Sequence, residues 1–137
     1  MLKQKKQLVK VICFGTFDGL HMGHLSYFKQ AKKLGDHLIV IVARDVNAKK
    51  IKGKLPKVKE KQRLHSVSDC KLVDEAHLGN VRNKYAVINK YQPDVICLGY
   101  DQQADEKKIK TLFPEVEVVR LKPHKPHIYK SKFQNPK

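Results

Sequence analysis

Gly15-Thr16-Phe17-Asp18-Gly19-Leu20-His21-Met22-Gly23-His24 follows the apolar run Leu8-Val9-Lys10-Val11-Ile12-Cys13-Phe14 and precedes a segment with helical spacing. The stretch therefore spans a strand-to-helix turn. A helix N-terminus carries unpaired N–H groups and a partial positive charge, so such a turn suits an anion. Gly15 and Gly19 allow the chain to turn sharply. Gly23 removes a side chain where the backbone must approach a ligand closely. His21 and His24 can each donate a ring N–H to a phosphate oxygen and strengthen that contact as charge builds up. Asp18 is open to two roles, orienting a histidine or ordering the loop. The string contains neither Gly-x-Gly-x-x-Gly nor Gly-Lys-Ser/Thr, which excludes the dinucleotide fingerprint and the P-loop.

Beyond it, Leu25, Phe28, Ala31 and Leu34 recur at helical spacing, with Gly35 as a stop. The run from His37 to Ala43 is continuously apolar, as in a strand covered on both faces. Residues 47–57 read as a basic loop broken by Gly53 and Pro56. Residues 59–68 predict a helix with Leu64 and Val67 inward, and 71–77 a weaker third strand. A helix over 84–91, a strand over 94–98 closed by Gly99, a helix over 103–113 and a strand over 115–121 complete the series. Residues 122–137, with Pro123, Pro126 and Pro136, read as an irregular basic C-terminal tail. The alternation predicts an α/β protein, a single Rossmann-like domain over residues 1–137. Its five-stranded parallel sheet should have the order 3-2-1-4-5, with helices on both faces. Ligands of such sheets bind beyond the carboxyl ends of the strands, where the strand order reverses. The loop after strand one and Gly99-Tyr100-Asp101-Gln102 after strand four then frame one crevice.

With 137 residues the chain can bury one sizeable core. No run approaches the ~18 apolar residues of a membrane span. Residues 1–7 are charged, with no signal-type apolar core behind them, so a cytoplasmic protein without a membrane partner is expected. Cys13, Cys70 and Cys97 are widely spaced and odd in number, which predicts free thiols, two of them inside strands. The net charge is +16, from 29 basic and 13 acidic residues. Eight basic residues and one acid fall between Lys49 and Arg63; six and none fall between Arg120 and Lys137. Such patches attract a nucleoside triphosphate, a phosphorylated substrate or RNA. No RNP pattern, zinc finger or Gly-x-x-Gly loop accompanies them, so nucleic acid is not the expected partner.

Several further residues can carry chemistry. Asp101 can accept hydrogen bonds from a ribose or a base amino group, or simply serve its turn. Arg44 can clamp a phosphate bidentately, or pair with Asp45. Lys54 lies in the basic loop, which can fold over a triphosphate. Arg63 reaches a phosphate if its helix points at the crevice. In Tyr129-Lys130-Ser131-Lys132 a hydroxyl beside lysines suits a β- or γ-phosphate, and an irregular tail is an equal reading.

His21-x-Gly23-His24 directly after a first strand resembles the signature of the cytidylyltransferase-like nucleotidyltransferases. Longer strings resemble the small adenylyl- and cytidylyltransferases that include archaeal-type FAD synthase. These strings are FGTFDGLHMGH at 14–24, LGDHLIVIVARD at 34–45, KKIKGKLP at 49–56, PDVICLGYDQ at 93–102 and RLKPHKPHIYKS at 120–131. LGYDQ departs from the acidic turn of glycerol-3-phosphate cytidylyltransferases, and Ser131 stands alone where such enzymes carry a Ser/Thr pair.

The resemblance implies transfer of a nucleoside monophosphate from ATP or CTP to a phosphorylated acceptor, FMN being the best match, with release of pyrophosphate. It implies His21, His24 and Lys54 as catalytic residues. It implies Gly15, Thr16, Phe17, Asp18, Gly23, Arg63, Gly99, Tyr100, Asp101, Tyr129 and Ser131, together with both histidines, as nucleotide-binding. No protein metal ligands are expected, and Mg2+ would arrive on the triphosphate. The alternatives are a glycerol-3-phosphate-type cytidylyltransferase and a weakly active nucleotide- or RNA-binding member of the same fold. Related enzymes are often dimers, so a homodimer is a further expectation.

Overall fold

The computed structural model describes residues 8–100 and 102–123. Five strands, β1 (Lys10–Gly15), β2 (His37–Val42), β3 (Glu75–Leu78), β4 (Val95–Leu98) and β5 (Glu117–Arg120), form one parallel sheet in the order β3-β2-β1-β4-β5. This is the predicted order. Five helices connect them: α1 (Met22–Lys32), α2 (Asp45–Lys52), α3 (Glu60–Ser68), α4 (Ala86–Tyr91) and α5 (Glu106–Leu112).

The central strands are apolar on both faces because both faces are covered. Alternate residues divide between two cores. Val11, Cys13, Leu38, Val40, Val42 and Cys97 face Phe28 and Ala31 of α1 and Val67 of α3. Ile12, Ile39, Ile41, Ile96 and Leu98 face Val87 and Ile88 of α4 and Ile109 of α5. The amino ends of the strands are laced by aspartates from the turns before β2, β3 and β4. Asp36 accepts the Val9 N–H, Asp74 the Leu38 N–H and Asp94 the Lys10 N–H, at 2.7–2.8 Å. All three cysteines are free, with Cys13 and Cys97 buried. No helix among the described residues is long and apolar enough to cross a membrane.

Two local expectations are corrected. The basic loop expected at 47–57 is helical as far as Lys52. Its only buried residue is Ala48, so no apolar period marks it. Its helical signals are electrostatic and conformational. Asp45 lies in the first turn and Lys49, Lys50 and Lys52 in the last, and Gly53 closes it in the left-handed region at φ 86°. Gly35, read as a helix stop, has a different reason. The α1 cap is Lys33 in the right-handed region. A Cβ on Gly35 would lie 2.6 Å from the Val9 carbonyl oxygen, so the residue is small to let the chain pass β1.

Candidate active site

After β1 the chain folds back on itself at Phe17, which sits at φ 55° with its ring in the first-face core. A Cβ on Gly15 would lie 2.5 Å from that ring, so Gly15 makes room for it. The Phe17 ring packs against Phe28 at 5.2 Å and meets His24 edge-on, also at 5.2 Å. Phe17, expected to bind nucleotide, therefore enters the site chiefly as the floor beneath His24.

His21 and His24 form the start of α1 in an unusual way. His21 is the N-cap, and its Nδ1 accepts the Gly23 N–H at 3.0 Å. His24 reaches back, and its Nδ1 accepts the His21 N–H at 3.3 Å. The two imidazoles thus complete a reciprocal cap of the kind usually made by Ser/Thr and Glu/Gln. Their rings stack with centroids 3.8 Å apart. A neutral imidazole whose Nδ1 accepts a hydrogen bond carries its proton on Nε2. Both rings therefore keep an Nε2–H free to donate to a ligand. Burial, with the charges of His21 and Lys52, brings the His24 pKa down to about 4, so this ring is neutral at pH 7. Gly23 is small for the same construction: a Cβ there would lie 2.9 Å from His21 Cε1.

The loop after β1 and the turn after β4 meet in one cleft of about 1270 Å³. Gly15, Thr16, Phe17, Asp18, His21, Gly23, His24, Gly99 and Tyr100 all line it. The convergence expected from the strand order is thus present, because β1 and β4 are hydrogen-bonded neighbours. Asp101, Tyr129 and Ser131 lie outside the described residues.

Of the two roles open to Asp18, the loop-ordering one is seen. Its carboxylate accepts the N–H groups of Lys57 and Val58 at 2.9 and 2.8 Å, tying the segment after α2 to the loop after β1. These backbone bonds hold its pKa below the usual carboxylate value.

Two basic residues are placed otherwise than expected. Arg63 does not point at the crevice; it is the one fully buried charged side chain among the described residues. Its guanidinium donates to the carbonyl oxygens of Thr16, Ala43 and Val58 at 2.8 Å and to Asp45 at 2.6 Å. It braces the ends of β1 and β2 from below. Lys54 is exposed and stands off the cleft wall, whereas Lys52, at the last turn of α2, lines it. Arg44 and Asp45 do not pair with each other. Arg44 donates to Gly79 and Glu60, and Asp45 accepts from Arg63.

Further residues complete the wall, Gln102 from the turn expected there and the others from segments not expected to reach the cleft. Gln102 ties the two loops together: its Oε1 accepts the Gly99 N–H at 3.0 Å and its Nε2 donates to Phe14 at 3.3 Å. Asn47 donates to Val81 at 3.1 Å, and its Oδ1 is buried without a hydrogen-bond partner. Lys84, Tyr85 and Lys122 add two cations and an aromatic ring to the wall. Asn47, Lys84 and Tyr85 belong to no motif; only adjacency in the fold marks them. Among the described residues no group of three His, Cys, Asp or Glu side chains is arranged to hold a metal ion.

A parallel α/β sheet with a helix N-terminus and two Nε2–H donors at its switch point defines a phosphate-handling domain. The chain belongs to the cytidylyltransferase-like family, whose profile matches residues 12–135. It is 43% identical over 118 residues to a FAD synthase of Thermoplasma volcanium, covering 83% of this chain and 82% of that one. It is 49% identical over 102 residues to a FAD synthase of Archaeoglobus profundus, covering 74% and 64%. A crystal structure from Thermoplasma volcanium, described as a lipopolysaccharide core biosynthesis protein, matches with a TM-score of 0.82 at 39% identity. That match covers 86% of this chain and 99% of the other.

Proposed function

We propose that the chain is an FMN adenylyltransferase, a nucleotidyltransferase that makes FAD and pyrophosphate from FMN and ATP. The observation that carries this reading is the reciprocal His21–His24 cap, which leaves two ring N–H donors on the wall of the crevice between β1 and β4. The FAD synthases it resembles supply the choice of acceptor.

In the reaction, an oxygen of the FMN phosphate forms a bond to the α-phosphorus of ATP. The bond from that phosphorus to the bridging oxygen breaks, and pyrophosphate leaves with the electron pair. The FMN phosphate is already an anion at neutral pH, so no general base is needed. Catalysis is alignment plus charge stabilisation. His21 and His24 donate from Nε2 to the phosphoryl oxygens, and the N–H groups at the start of α1 add the field of the helix end. Lys52 neutralises charge on the leaving pyrophosphate. Gly99, Tyr100 and Asp101 are assigned to the nucleoside, and Tyr129 and Ser131, outside the described residues, to the phosphates by the family resemblance alone. A divalent ion such as Mg2+, if carried on the triphosphate, would neutralise part of its charge.

The test is product formation from ATP and FMN, read as FAD by chromatography and as pyrophosphate by a coupled assay. FAD formed in proportion to pyrophosphate supports the reading. Cytidylyl transfer to glycerol 3-phosphate from CTP in place of FAD, or no pyrophosphate with either pair, overturns it.

A further inference from the structure

β1 and β4 pair only as far as Cys13 and Cys97, and the cleft opens where they part. Carbonyls along a strand point alternately to its two sides. Gly15 gives its carbonyl to Ala43 on the β2 side, and Leu98 gives its carbonyl to Leu121 beyond β5. The preceding carbonyls, of Phe14 and Cys97, therefore face the gap between β1 and β4. A continued ladder would bring the Gly99 N–H to the Phe14 oxygen. Instead the Gln102 amide is spliced between them: Oε1 accepts from Gly99 at 3.0 Å and Nε2 donates to Phe14 at 3.3 Å. Tyr27 of α1 reaches the same point. Its hydroxyl lies 3.2 Å from the Phe14 oxygen, 3.2 Å from the Cys97 oxygen and 3.4 Å from Gln102 Oε1. Burial pushes the phenol pKa up, so the hydroxyl keeps its donor proton.

We propose that Tyr27 is a positioning residue: by spanning the gap beyond Cys13 and Cys97 it holds α1, and with it the His24 ring, in fixed relation to the Gly99–Gln102 turn. The proposal rests on the adenylyltransferase reading, in which the imidazoles and that turn act on one molecule of ATP. The route from hydroxyl to imidazole is short. Tyr27 follows His24 by three residues, so both side chains lie on one face of α1. The Phe17 ring sits against both, 6.4 Å from Tyr27 and 5.2 Å from His24 between centroids. In a reaction driven by alignment, a misplacement of about 1 Å costs roughly a hundredfold. A hydroxyl in contact with β1, β4 and the turn after β4 resists such a shift of α1.

The experiment compares wild type with Tyr27→Phe, which keeps the ring and removes one oxygen, so the far-ultraviolet circular dichroism should be unchanged. The kcat for FAD formation should fall about tenfold, with the KM for ATP and for FMN within about twofold. In the His24→Ala background the same substitution should cost less than about twofold, because the residue through which it acts is gone. A raised KM for ATP would make Tyr27 a substrate ligand. An equal loss in both backgrounds would make it a general structural support, and an unchanged kcat would leave it without a part in the reaction. Each of these overturns the proposal. If the wild type makes no FAD, the reaction reading falls by itself, and the His24 ring still decides the positioning. Its NMR signals are identified by their absence from His24→Ala. At pH 5 the wild-type ring, with a pKa of about 4, should be mostly neutral. In Tyr27→Phe it should be more protonated, as α1 shifts and exposes it. The same protonation in both proteins overturns the proposal.

Discussion

Arg63 Nη2 donates to Asp45 Oδ1 at 2.6 Å from a position with no solvent exposure. The pair couples the third helix to the first turn of the second. Asp45 also accepts the Glu60 N–H, and Glu60 accepts the Asp45 N–H at 2.8 Å, so α2 and α3 cap each other around it. Removing the guanidinium would leave three carbonyl oxygens and one carboxylate short of a donor. Arg63→Met should therefore lose about 3–5 kcal/mol of stability, the cost of breaking a buried pair. Urea unfolding measures it. Native stability with a raised KM for ATP would instead make Arg63 a phosphate ligand.

His24→Ala should lower kcat about a hundredfold or more, the scale of one lost transition-state donor, with the far-ultraviolet circular dichroism retained. The same residue sets a pH dependence. Its folded pKa of about 4 lies below the ordinary imidazole value, 6.5. Between those values the unfolded chain takes up a proton that the folded chain refuses, so His24 makes stability rise with pH across that window and fall on acidification. The Tm of wild type should therefore drop more steeply from pH 6.5 to 4 than that of His24→Asn. Parallel curves would disprove the buried neutral imidazole.

Two glycines should separate activity from stability. A Cβ on Gly23 meets only the exposed ring of His21, which can swing away at the expense of its aim. Gly23→Ala should cost at least tenfold in kcat, by misplacing a donor, and less than about 1 kcal/mol in stability. A Cβ on Gly35 meets the Val9 backbone, which cannot swing. Gly35→Ala should lose about 1–3 kcal/mol while the folded fraction stays active. Steady-state kinetics and denaturant melts on both variants make the comparison.

Lys52 and Lys54 differ by two positions and by whether they reach the cleft. A charge-assisted contact is worth about 1.5–3 kcal/mol, so Lys52→Ala should lower kcat/KM for ATP more than tenfold. Lys54→Ala should change it less than about threefold, as befits an exposed charge near a polyanion. The reverse ranking would show that the segment after α2 closes over the triphosphate.

The strand order, both faces of the sheet and the crevice between β1 and β4 were legible in the chain. Continuous apolar runs mark doubly covered strands, and alternation with helices leaves few parallel topologies. The His-x-Gly-His string could be placed because its chemistry is local: cap, turn and donors lie within ten residues. α2 was less legible, since a helix that buries only Ala48 shows no apolar period. Its Gly53 stop and its charge gradient were present but resemble those of a loop.

The sequence by itself determined that two imidazoles and a helix N-terminus share one turn, because a helix end and its capping side chains are fixed by neighbours along the chain. Only the tertiary structure decided that Arg63 is a buried brace, that Lys52 rather than Lys54 reaches the cleft, and that Tyr85 belongs to the wall. The direction of a long side chain depends on which carbonyls and cavities distant segments place beside it, and no periodicity along the chain encodes that.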